Sequence, residues 1–558
     1  MDGASSHPWY RRALPVALVG STLMWAALPP LAFGPLAWIA PLPWLLLVRR
    51  GELAGPRPYL ALWLAGFVFW LLAIHWLRLP HPAVYAGWIA LSAYLACYLP
   101  IFVALSRTAV HRLGWPLWLA APIVWTGLEL ARAHVMTGFL MGSLAHSQVH
   151  WTTVIQISDI FGEYGVDFII MAVAASIACV LFPPRKWLSV VPGGAVLVSA
   201  LVYGHIRTGE ASGSAKRDAS RTARIGLIQG NSLADWKYDP SREQQIMDEY
   251  FSLSQRAVES AKQHGDGRPL DLVVWPETMF RTPIITFDAD YKPPADAPRT
   301  PEEIASYGPT ALATLARRLD TPVLVGVERM HQPASAADGT ERPPQRYNSA
   351  ALVDRGGKIV GTYDKVHRVV FGEFIPFSKW LPWLHTLAPI AGRIDAGDGP
   401  VVLESDGRYY APNICYETAV PHVIRRHATT RATDGRAPDV LVNVTNDAWY
   451  WGSSELDMHL ACGVFRAVET RTPLVIAANG GITAWIDQHG RVRAQSPRQT
   501  PDVIIADVQK YDQRSLYLEF GDWFATLCLI CCVAFAVVGW QGRRRAKVDS
   551  ALPPTLNT

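Results

Sequence analysis

The chain has 558 residues, which is too long for one ordinary domain and long enough for several hydrophobic cores. Apolar residues make up 50% of the chain, charged residues make up only 18%, and 22 residues are tryptophan. This composition is unusually apolar for a soluble protein. The formal net charge of +4 gives no support for a nucleic-acid partner.

Apolar runs fill residues 1–206 and return once near the C-terminus. Several are about 17–21 residues long, enough to cross a hydrocarbon core of roughly 30 Å. More runs follow the first directly, so we interpret it as an uncleaved helix rather than a signal peptide. We predict eight membrane spans, at Leu14–Leu28, Leu31–Val48, Tyr59–Trp76, Trp88–Leu105, Leu117–Leu130, Val166–Phe182, Leu188–Tyr203 and Trp523–Trp540.

Basic residues cluster at alternate ends of these spans, which predicts their orientation. The positive-inside rule places the basic ends in the cytoplasm, and therefore both termini as well. We accordingly predict a seven-span region at 1–206, an extracytoplasmic domain at 207–522, an eighth span at 523–541 and a cytoplasmic tail at 542–558. The basic residues are Arg11, Arg12, Arg49, Arg50, Arg57, Arg107, Arg112, Arg185, Lys186, Arg543, Arg544, Arg545 and Lys547.

β-like and helical runs alternate in the polar region. In the helical run Ser241–His264, apolar residues recur at steps of three or four and form one apolar face. This interleaving predicts a layered α/β domain. The β-like runs are Arg224–Gln229, Leu270–Trp275, Val323–Val327, Ser349–Val353, Ile359–Tyr363, Gly407–Ile414, Val440–Val444, Pro473–Ala477, Thr483–Ile486 and Val503–Val508.

Three chemically reactive side chains, Glu277, Lys365 and Cys415, each follow a β-like run. A thiol with an ordinary pKa near 8.5 needs a base or a cationic neighbour to become a nucleophile. Glu277 would accept its proton, and Lys365 would stabilise the thiolate and then the oxyanion of a tetrahedral intermediate. The spacing therefore indicates a nucleophilic acyl-transfer site.

Spacing alone leaves a structural interpretation open. Cys415 would then be a buried strand thiol or a disulfide partner of Cys462, since an extracytoplasmic domain permits disulfides. Glu277 and Lys365 would be ordinary surface ion-pair residues. No Cys-x-x-Cys pair has His or Cys partners at zinc spacing, so we expect no structural metal.

Four motifs help to decide between the acyl-transfer and the structural interpretation. Trp-Pro-Glu ends at Glu277, Tyr-Asp-Lys-Val-His surrounds Lys365 and precedes Phe-Gly-Glu-Phe-Ile-Pro, Asn-Ile-Cys-Tyr-Glu surrounds Cys415, and Asn-Val-Thr-Asn-Asp-Ala-Trp ends at Trp449. Together they resemble the apolipoprotein N-acyltransferase family of the nitrilase superfamily, whose triad is Glu, Lys and Cys in this order. The resemblance covers nearly the whole chain, because that family has eight membrane helices with a nitrilase-like domain between the last two.

The resemblance implies an α-β-β-α sandwich for the polar domain, with Glu277 as general base, Lys365 as oxyanion-stabilising residue and Cys415 as acylated nucleophile. It further implies four supporting residues. Glu373 would lie close to the lysine, Tyr416 and Glu417 would form an essential pair after the cysteine, and Trp236 would lie near the substrate entrance. The alternatives are plain core aromatics for Trp236 and Tyr416, and a local cap or ion pair for Glu417.

The same resemblance implies two-step acyl transfer without a cofactor. A phospholipid such as phosphatidylethanolamine would acylate Cys415 and leave as lysophospholipid. The α-amino group of the S-diacylglyceryl cysteine of an apolipoprotein would then take the acyl group. We expect a monomer in the cell inner membrane, with its catalytic domain in the periplasm.

Two alternative functions remain open at this point. One is a membrane-anchored nitrilase-type amidase, in which water attacks the thioester. The other is a transporter or lipid-binding protein with an inactive outer domain. Charged residues inside the spans would favour transport, and the sequence suggests few, chiefly Glu129, Arg132 and His75.

Two segments differ from the family pattern, and a third is unusually apolar. Tyr450-Trp451-Gly452 stands where the family has Phe-Gly, and Ile476-Ala477-Ala478-Asn479 lacks the family's arginine, so substrate preference is the property most open to change. The run Phe374–Ile390 is very apolar for a loop. We expect it to dip into the outer leaflet and line the route of the acyl chains, with ordinary core packing as the alternative.

Overall fold

The computed structural model describes residues 12–182, 185–213, 222–234, 240–263, 265–294, 296–335, 342–370, 372–374, 380, 394–510 and 512–551. The chain divides into two compact units. The helical unit comprises Met1–His75, Trp88–Thr208 and Glu519–Thr558. The sheet unit comprises Gly209–Leu518 together with Trp76–Gly87, a segment that lies between two predicted spans.

Apolar helices build the helical unit. In chain order they are α1 (Ala13–Ala27), α2 (Leu42–Arg49), α3 (Pro58–Ala73), α4 (Val84–Leu95), α5 (Tyr98–Arg112), α6 (Leu117–His134), α7 (Thr152–Ile155), α8 (Ser158–Phe161), α9 (Glu163–Leu181) and α10 (Val190–Gly213).

Within the described part of the chain, four helical stretches are long and apolar enough to cross a membrane: Val84–Arg112, Glu163–Leu181, Trp187–Gly209 and Trp523–Gly542. Three apolar helical stretches are shorter, at Ala13–Ala27, Gly34–Arg49 and Pro58–Ala73. All eight predicted spans overlap helices of the structure. That all eight cross a bilayer, and in which orientation, stays a prediction.

Buried ionisable side chains are more numerous in the helical unit than the sequence suggested. The guanidinium of Arg132 pairs with Glu129 and donates to the carbonyl oxygens of Phe139 (2.7 Å) and Met141 (3.2 Å). Arg132 therefore ties the end of α6 to the non-helical backbone that follows it, where unpaired carbonyls in apolar surroundings would be costly.

Acidic residues of α9 hold Ser143 and the 3-10 helix that it precedes, Leu144–Gln148. Asp167 accepts hydrogen bonds from the hydroxyl of Ser143 (3.0 Å) and the backbone N–H of Ala145 (2.7 Å). Glu163 lies 2.8 Å from the imidazole of His146. Because each of these side chains has a polar partner within the protein, their contacts support a structural role.

The sheet unit contains twelve strands among its described residues: β1 (Thr222–Gln229), β2 (Leu272–Phe287), β3 (Val323–Gln332), β4 (Gln345–Val353), β5 (Ile359–Asp364), β6 (Leu403–Ser405), β7 (Arg408–Ile414), β8 (Val440–Asn446), β9 (Leu474–Asn479), β10 (Ala484–Ile486), β11 (Val492–Gln495) and β12 (Asp502–Gln509). They form two six-stranded sheets, of order β12-β1-β2-β3-β4-β5 and β11-β10-β9-β8-β7-β6.

Helices cover the outer face of each sheet. α11 (Pro240–Gln263) and α12 (Pro301–Leu319) lie on the first sheet, and α13 (Pro421–Thr429) and α14 (Glu455–Thr470) on the second. The short α15 (Leu516–Phe520) follows, and α16 (Trp523–Ala551) belongs to the helical unit. The layers are therefore α-β-β-α, as expected.

Alternation along β2 shows how one strand serves two cores. Leu272 and Val274 lie in the core between the sheets, whereas Val273 and Trp275 pack with Tyr250 and other residues beneath the outer helices. Successive side chains of a strand point to opposite faces, so an uninterrupted apolar run can be buried on both.

Two short strands, β6 and β11, were not predicted, and β2 is longer than predicted. β2 does not end at Trp275 but continues through Glu277 to Phe287. Its pairing with β3 shifts register between Trp275 and Phe280, where Pro276 offers no N–H for the ladder. Glu277 therefore lies at an irregular step inside a strand and not after its end.

Candidate active site

Cys415 lies at a sharp bend directly after β7, where it begins the short 3-10 turn Cys415–Ala419. Its φ of 54° is left-handed, a conformation that is strained for a residue with a side chain. Its carbonyl oxygen accepts hydrogen bonds from Asn443 Nδ2 and His459 Nε2, both at 3.2 Å. Cys415 and Cys462 are not joined in a disulfide. The side chains of Asn443 and His459 thus hold the main chain at the bend that carries the thiol.

Glu277 is held by hydrogen bonds to both of its carboxylate oxygens. Asn348 Nδ2 donates to Oε1 at 2.6 Å, and the backbone N–H of Asn446 donates to Oε2 at 2.9 Å. Gly326 on β3 allows this close approach, because a Cβ there would lie 2.5 Å from the Cα of Glu277. The carboxylate is only 8% exposed and has a defined orientation.

Lys365 follows β5 and is 1% exposed. Its Nζ lies 2.8 Å from Glu373 Oε1 and 3.8 Å from Glu277 Oε1. The other oxygen of Glu373 accepts the backbone N–H of Val369 at 2.8 Å. Glu373 therefore lies close to the lysine, where the resemblance placed it, and holds the ammonium beside Glu277.

The charges of these groups act on one another. Burial raises the pKa of Glu277, and the Lys365 charge opposes the shift. Burial, together with the Glu277 charge, raises the pKa of Cys415 well above its ordinary value, again against Lys365. Burial disfavours the Lys365 ammonium, but Glu373, Cys415 and Glu277 outweigh burial and raise its pKa. The resting site therefore contains a neutral thiol, which needs a base to become a nucleophile.

Glu417 is fully buried and joins two parts of the site. The backbone N–H groups of Val366 and His367 each donate to its Oε1 at 2.9 Å, and that of Ile414 donates to Oε2 at 2.8 Å. The hydroxyl of Tyr363 lies 2.8 Å from both oxygens. Glu417 thus ties the loop after the lysine to the strand before the cysteine, which is a positioning contact.

For the remaining predicted residues the structure describes fewer contacts. The ring of Tyr416 stacks on that of His367, with centroids 6.2 Å apart and planes 30° from parallel. Trp236 lies outside the described residues. Of the predicted apolar loop, Phe374 and Trp380 are described: the guanidinium of Arg368 lies over the ring of Phe374, and Trp380 is 80% exposed. Trp383 is outside the described residues.

Sequence reasoning missed four residues that support the site. Asn348 and Asn446 bind Glu277, and Asn443 and His459 bind the carbonyl of the cysteine. Asn446 stands in a motif that had been singled out without a role for this residue. Asn348 gave a weaker signal, as a polar residue at the start of an apolar strand.

One buried group of side chains has the spacing of metal ligands among the residues the structure describes. Asp447, Glu455 and His459 each offer a ligand atom, and these atoms lie within 4.8 Å of one another. His459 Nε2, however, already contacts the carbonyl oxygen of Cys415. The triad chemistry outlined above requires no metal.

Known proteins match both units of the chain. Residues 20–176 match the family described as apolipoprotein N-acyltransferase N-terminal domain, and residues 224–516 match carbon-nitrogen hydrolase. A protein of Rhodopirellula baltica named Apolipoprotein N-acyltransferase is 32% identical over 94% of this chain and 97% of its own length. One of the same name from Geobacter metallireducens is 31% identical, over 95% and 96%.

A crystal structure of an amidase from Nesterenkonia sp. aligns with 53% of this chain and 92% of its own, at 19% identity and a TM-score of 0.36. The two family matches and the near-complete overlap with the named relatives carry the assignment. The chain belongs to the apolipoprotein N-acyltransferase family, the membrane-associated acyltransferases of the nitrilase superfamily.

Proposed function

We propose that the chain transfers an acyl group from a phospholipid to the N-terminal S-diacylglyceryl cysteine of apolipoproteins, through a thioester on Cys415. The observation that carries the proposal is the cluster of Glu277 in β2, Lys365 after β5 and Cys415 after β7: Lys365 Nζ lies 3.8 Å from Glu277 Oε1, and the charges of both act on the pKa of the Cys415 thiol. Family membership supports the donor and acceptor classes.

In the first step, Glu277 accepts the thiol proton of Cys415, and the thiolate attacks the ester carbonyl of the phospholipid. Lys365 stabilises the oxyanion of the tetrahedral intermediate. The ester C–O bond then breaks, and the proton held by Glu277 passes to the leaving oxygen. The products are the thioester and a lysophospholipid.

In the second step, the α-amino group of the acceptor attacks the thioester. Its ordinary pKa near 7.7–8.0 leaves a useful neutral fraction at pH 7. Glu277 accepts the proton that the nitrogen loses, the C–S bond breaks, and the proton returns to the Cys415 thiolate. The new bond is an amide, and the enzyme regains its starting state.

Donor and acceptor are both held in the membrane by their acyl chains, so a membrane-embedded helical unit would keep the enzyme at the same surface. We place eight spans in the cell inner membrane, with both termini in the cytoplasm and residues 207–522 in the periplasm, acting as a monomer. The alternation of basic connections supports this orientation. Confining donor, acceptor and site to one surface makes encounter a matter of orientation rather than of bulk concentration.

The test is to incubate the purified protein with phosphatidylethanolamine vesicles in the absence of acceptor and to measure its intact mass. We expect one acyl adduct, located on Cys415 by peptide mapping. Cys415→Ala should form none, and Cys462→Ala, the matched control, should form it normally. Addition of a diacylglyceryl-cysteine peptide should discharge the adduct into an N-acylated product.

Two outcomes would contradict the proposal. An adduct that water clears rapidly, without an amine acceptor, would assign the site to a nitrilase-type hydrolase. No adduct in folded protein across several phospholipid headgroups would show that the triad assignment or the donor class is wrong.

A further inference from the structure

Asn479, the last residue of β9, is fully buried and uses its whole hydrogen-bonding capacity. Its Oδ1 accepts from the backbone N–H of Ser232 and from the hydroxyl of Tyr250, both at 3.0 Å. Its Nδ2 donates to the carbonyl oxygen of Ser232 at 2.8 Å and to Oδ1 of Asn446 at 2.9 Å. An asparagine amide has two acceptor lone pairs and two N–H donors, so these contacts satisfy all four.

The backbone of Ser232 determines which way this amide points. A backbone N–H can only donate and a carbonyl oxygen can only accept, so Oδ1 must face the first and Nδ2 the second. A reversed amide would set donor against donor and acceptor against acceptor at Ser232. Nδ2 therefore donates to Asn446, whose side-chain oxygen must face β9. The contacts fix two neighbouring amides in one orientation.

Asn446 connects this network to the proposed base. It is the last residue of β8 and pairs with Asn479 in the parallel ladder of β8 and β9. Its backbone N–H donates to Oε2 of Glu277 at 2.9 Å. A 3-10 turn begins at the next residue, so the ladder stops where this N–H lies. The hydrogen bond from Asn479 therefore restrains Asn446 at the point where strand pairing ends.

The same amide holds the loop that follows β1. Residues 230–234 form neither helix nor strand. Asn479 binds both backbone polar groups of Ser232, and the hydroxyl of Tyr250 accepts the N–H of Gly230 at 3.1 Å. That hydroxyl also donates to Asn479, so it too has both of its roles filled. One buried side chain thus restrains this loop and, through β8, the carboxylate of the base.

We propose that Asn479 is a positioning residue for acyl transfer, which fixes Asn446 and thereby sets the orientation of Glu277. The proposal rests on Glu277 being the base of the proposed function. A base acts only within hydrogen-bond reach of the proton it accepts, so a small displacement of Glu277 slows proton transfer. Binding of the acyl donor does not depend on that reach. The proposed role is therefore visible in the maximal rate and not in the half-saturating donor concentration.

The test uses a short soluble ester, p-nitrophenyl butyrate, as acyl donor for the full-length protein in detergent, with the adduct on Cys415 followed by intact mass. Asn479→Ala should lower the maximal acylation rate about tenfold and change the half-saturating ester concentration less than about twofold. Asn446→Ala keeps its own backbone N–H but removes the oxygen that Asn479 binds, and should reproduce this result. The control is Leu319→Ala, at a buried leucine that ends α12. It should lower the melting temperature and leave both kinetic values in place.

A double substitution separates positioning of the base from general loosening of the fold. Glu277→Gln leaves no base to position, so the addition of Asn479→Ala should slow its residual acylation less than about twofold. A tenfold loss that persists in this background would overturn the proposal and leave Asn479 a structural role. A normal maximal rate in Asn446→Ala would also overturn it.

The maximal rate of Asn446→Ala decides if Asn479→Ala does not fold or if Glu277→Gln forms no adduct. The ester assay needs neither phospholipid nor apolipoprotein. A protein that the ester acylates on Cys415 but phospholipid does not would therefore refute the donor in the proposed function and leave this test intact. A protein that neither donor acylates on Cys415 would refute both proposals.

Discussion

The ammonium of Lys365 lies 2.8 Å from a carboxylate oxygen of Glu373, a full ångström closer than the 3.8 Å that separates it from Glu277. This difference between the two distances has a chemical consequence. A lysine paired tightly with Glu277 would neutralise the base, whereas a lysine held by Glu373 leaves Glu277 free to accept a proton.

Glu373→Gln should therefore slow acyl-adduct formation on Cys415 by about tenfold or more, because the buried ammonium loses its nearest counter-charge and turns toward Glu277. Intact mass spectrometry over time measures the rate. Glu328→Gln, which removes a partly exposed ion pair with Arg346, is the control and should react normally. Equal rates in the two variants would contradict the role of Glu373.

Asn348 should tune the pH dependence of the reaction. Glu277 must be ionised to accept a proton, so activity should fall as pH drops through its pKa, which burial raises. The hydrogen bond from Asn348 opposes that rise. Asn348→Ala should move the acidic midpoint of the adduct-formation rate up by about one unit. Gln345→Ala, at the exposed start of the same strand, should leave it in place, and a midpoint that falls in Asn348→Ala would refute the assignment.

Gly326 is expected to tolerate no side chain. A Cβ there would lie 2.4 Å from the carbonyl oxygen of Pro276 and 2.5 Å from the Cα of Glu277, both in the main chain. Gly326→Ala must shift the irregular step of β2 and should abolish most adduct formation in protein that still folds. Gly399→Ala meets nothing within 4 Å and should be active. Normal kinetics in Gly326→Ala would show that the position of Glu277 is not critical.

Glu417 should affect stability as well as activity. Its carboxylate accepts three backbone N–H groups, and an amide in its place would turn an NH2 group toward at least one of them. Glu417→Gln should lower the free energy of unfolding by about 2 kcal/mol or more, seen as a lower melting temperature in detergent. Glu404→Gln, at the exposed middle position of β6, should melt normally. Loss of activity with an unchanged melting temperature would instead assign Glu417 to the chemistry.

The exposed ring of Trp380 tests the membrane role of the apolar loop. Trp380→Glu should reduce turnover of phospholipid in vesicles, because a charge resists insertion into the outer leaflet. The same variant should cleave a short soluble ester at nearly the normal rate. Equal loss on both substrates would indicate that the loop packs in the core.

The sequence was informative wherever the signal is local. Apolar runs predict the membrane helices, because a helix that crosses the hydrocarbon core of a bilayer needs an uninterrupted run of apolar side chains. Motifs around Glu277, Lys365 and Cys415 singled out the residues that we propose to react, because each motif is a short run of neighbouring residues. Alternation and helical periodicity predicted a layered α/β domain, and the family resemblance implied its α-β-β-α order.

Only the tertiary structure determines which side chains contact one another. Asn348 binds Glu277 across 71 residues of chain, and His459 reaches Cys415 across 44. No local pattern encodes these pairs, because strand pairing and helix packing between distant segments create them. The passage of β2 through Glu277 likewise depends on its neighbour β3 and on the space left by Gly326. The sequence by itself therefore determined which residues are candidates for the reaction, because motifs are local, and only the fold determined how their charges and positions are held.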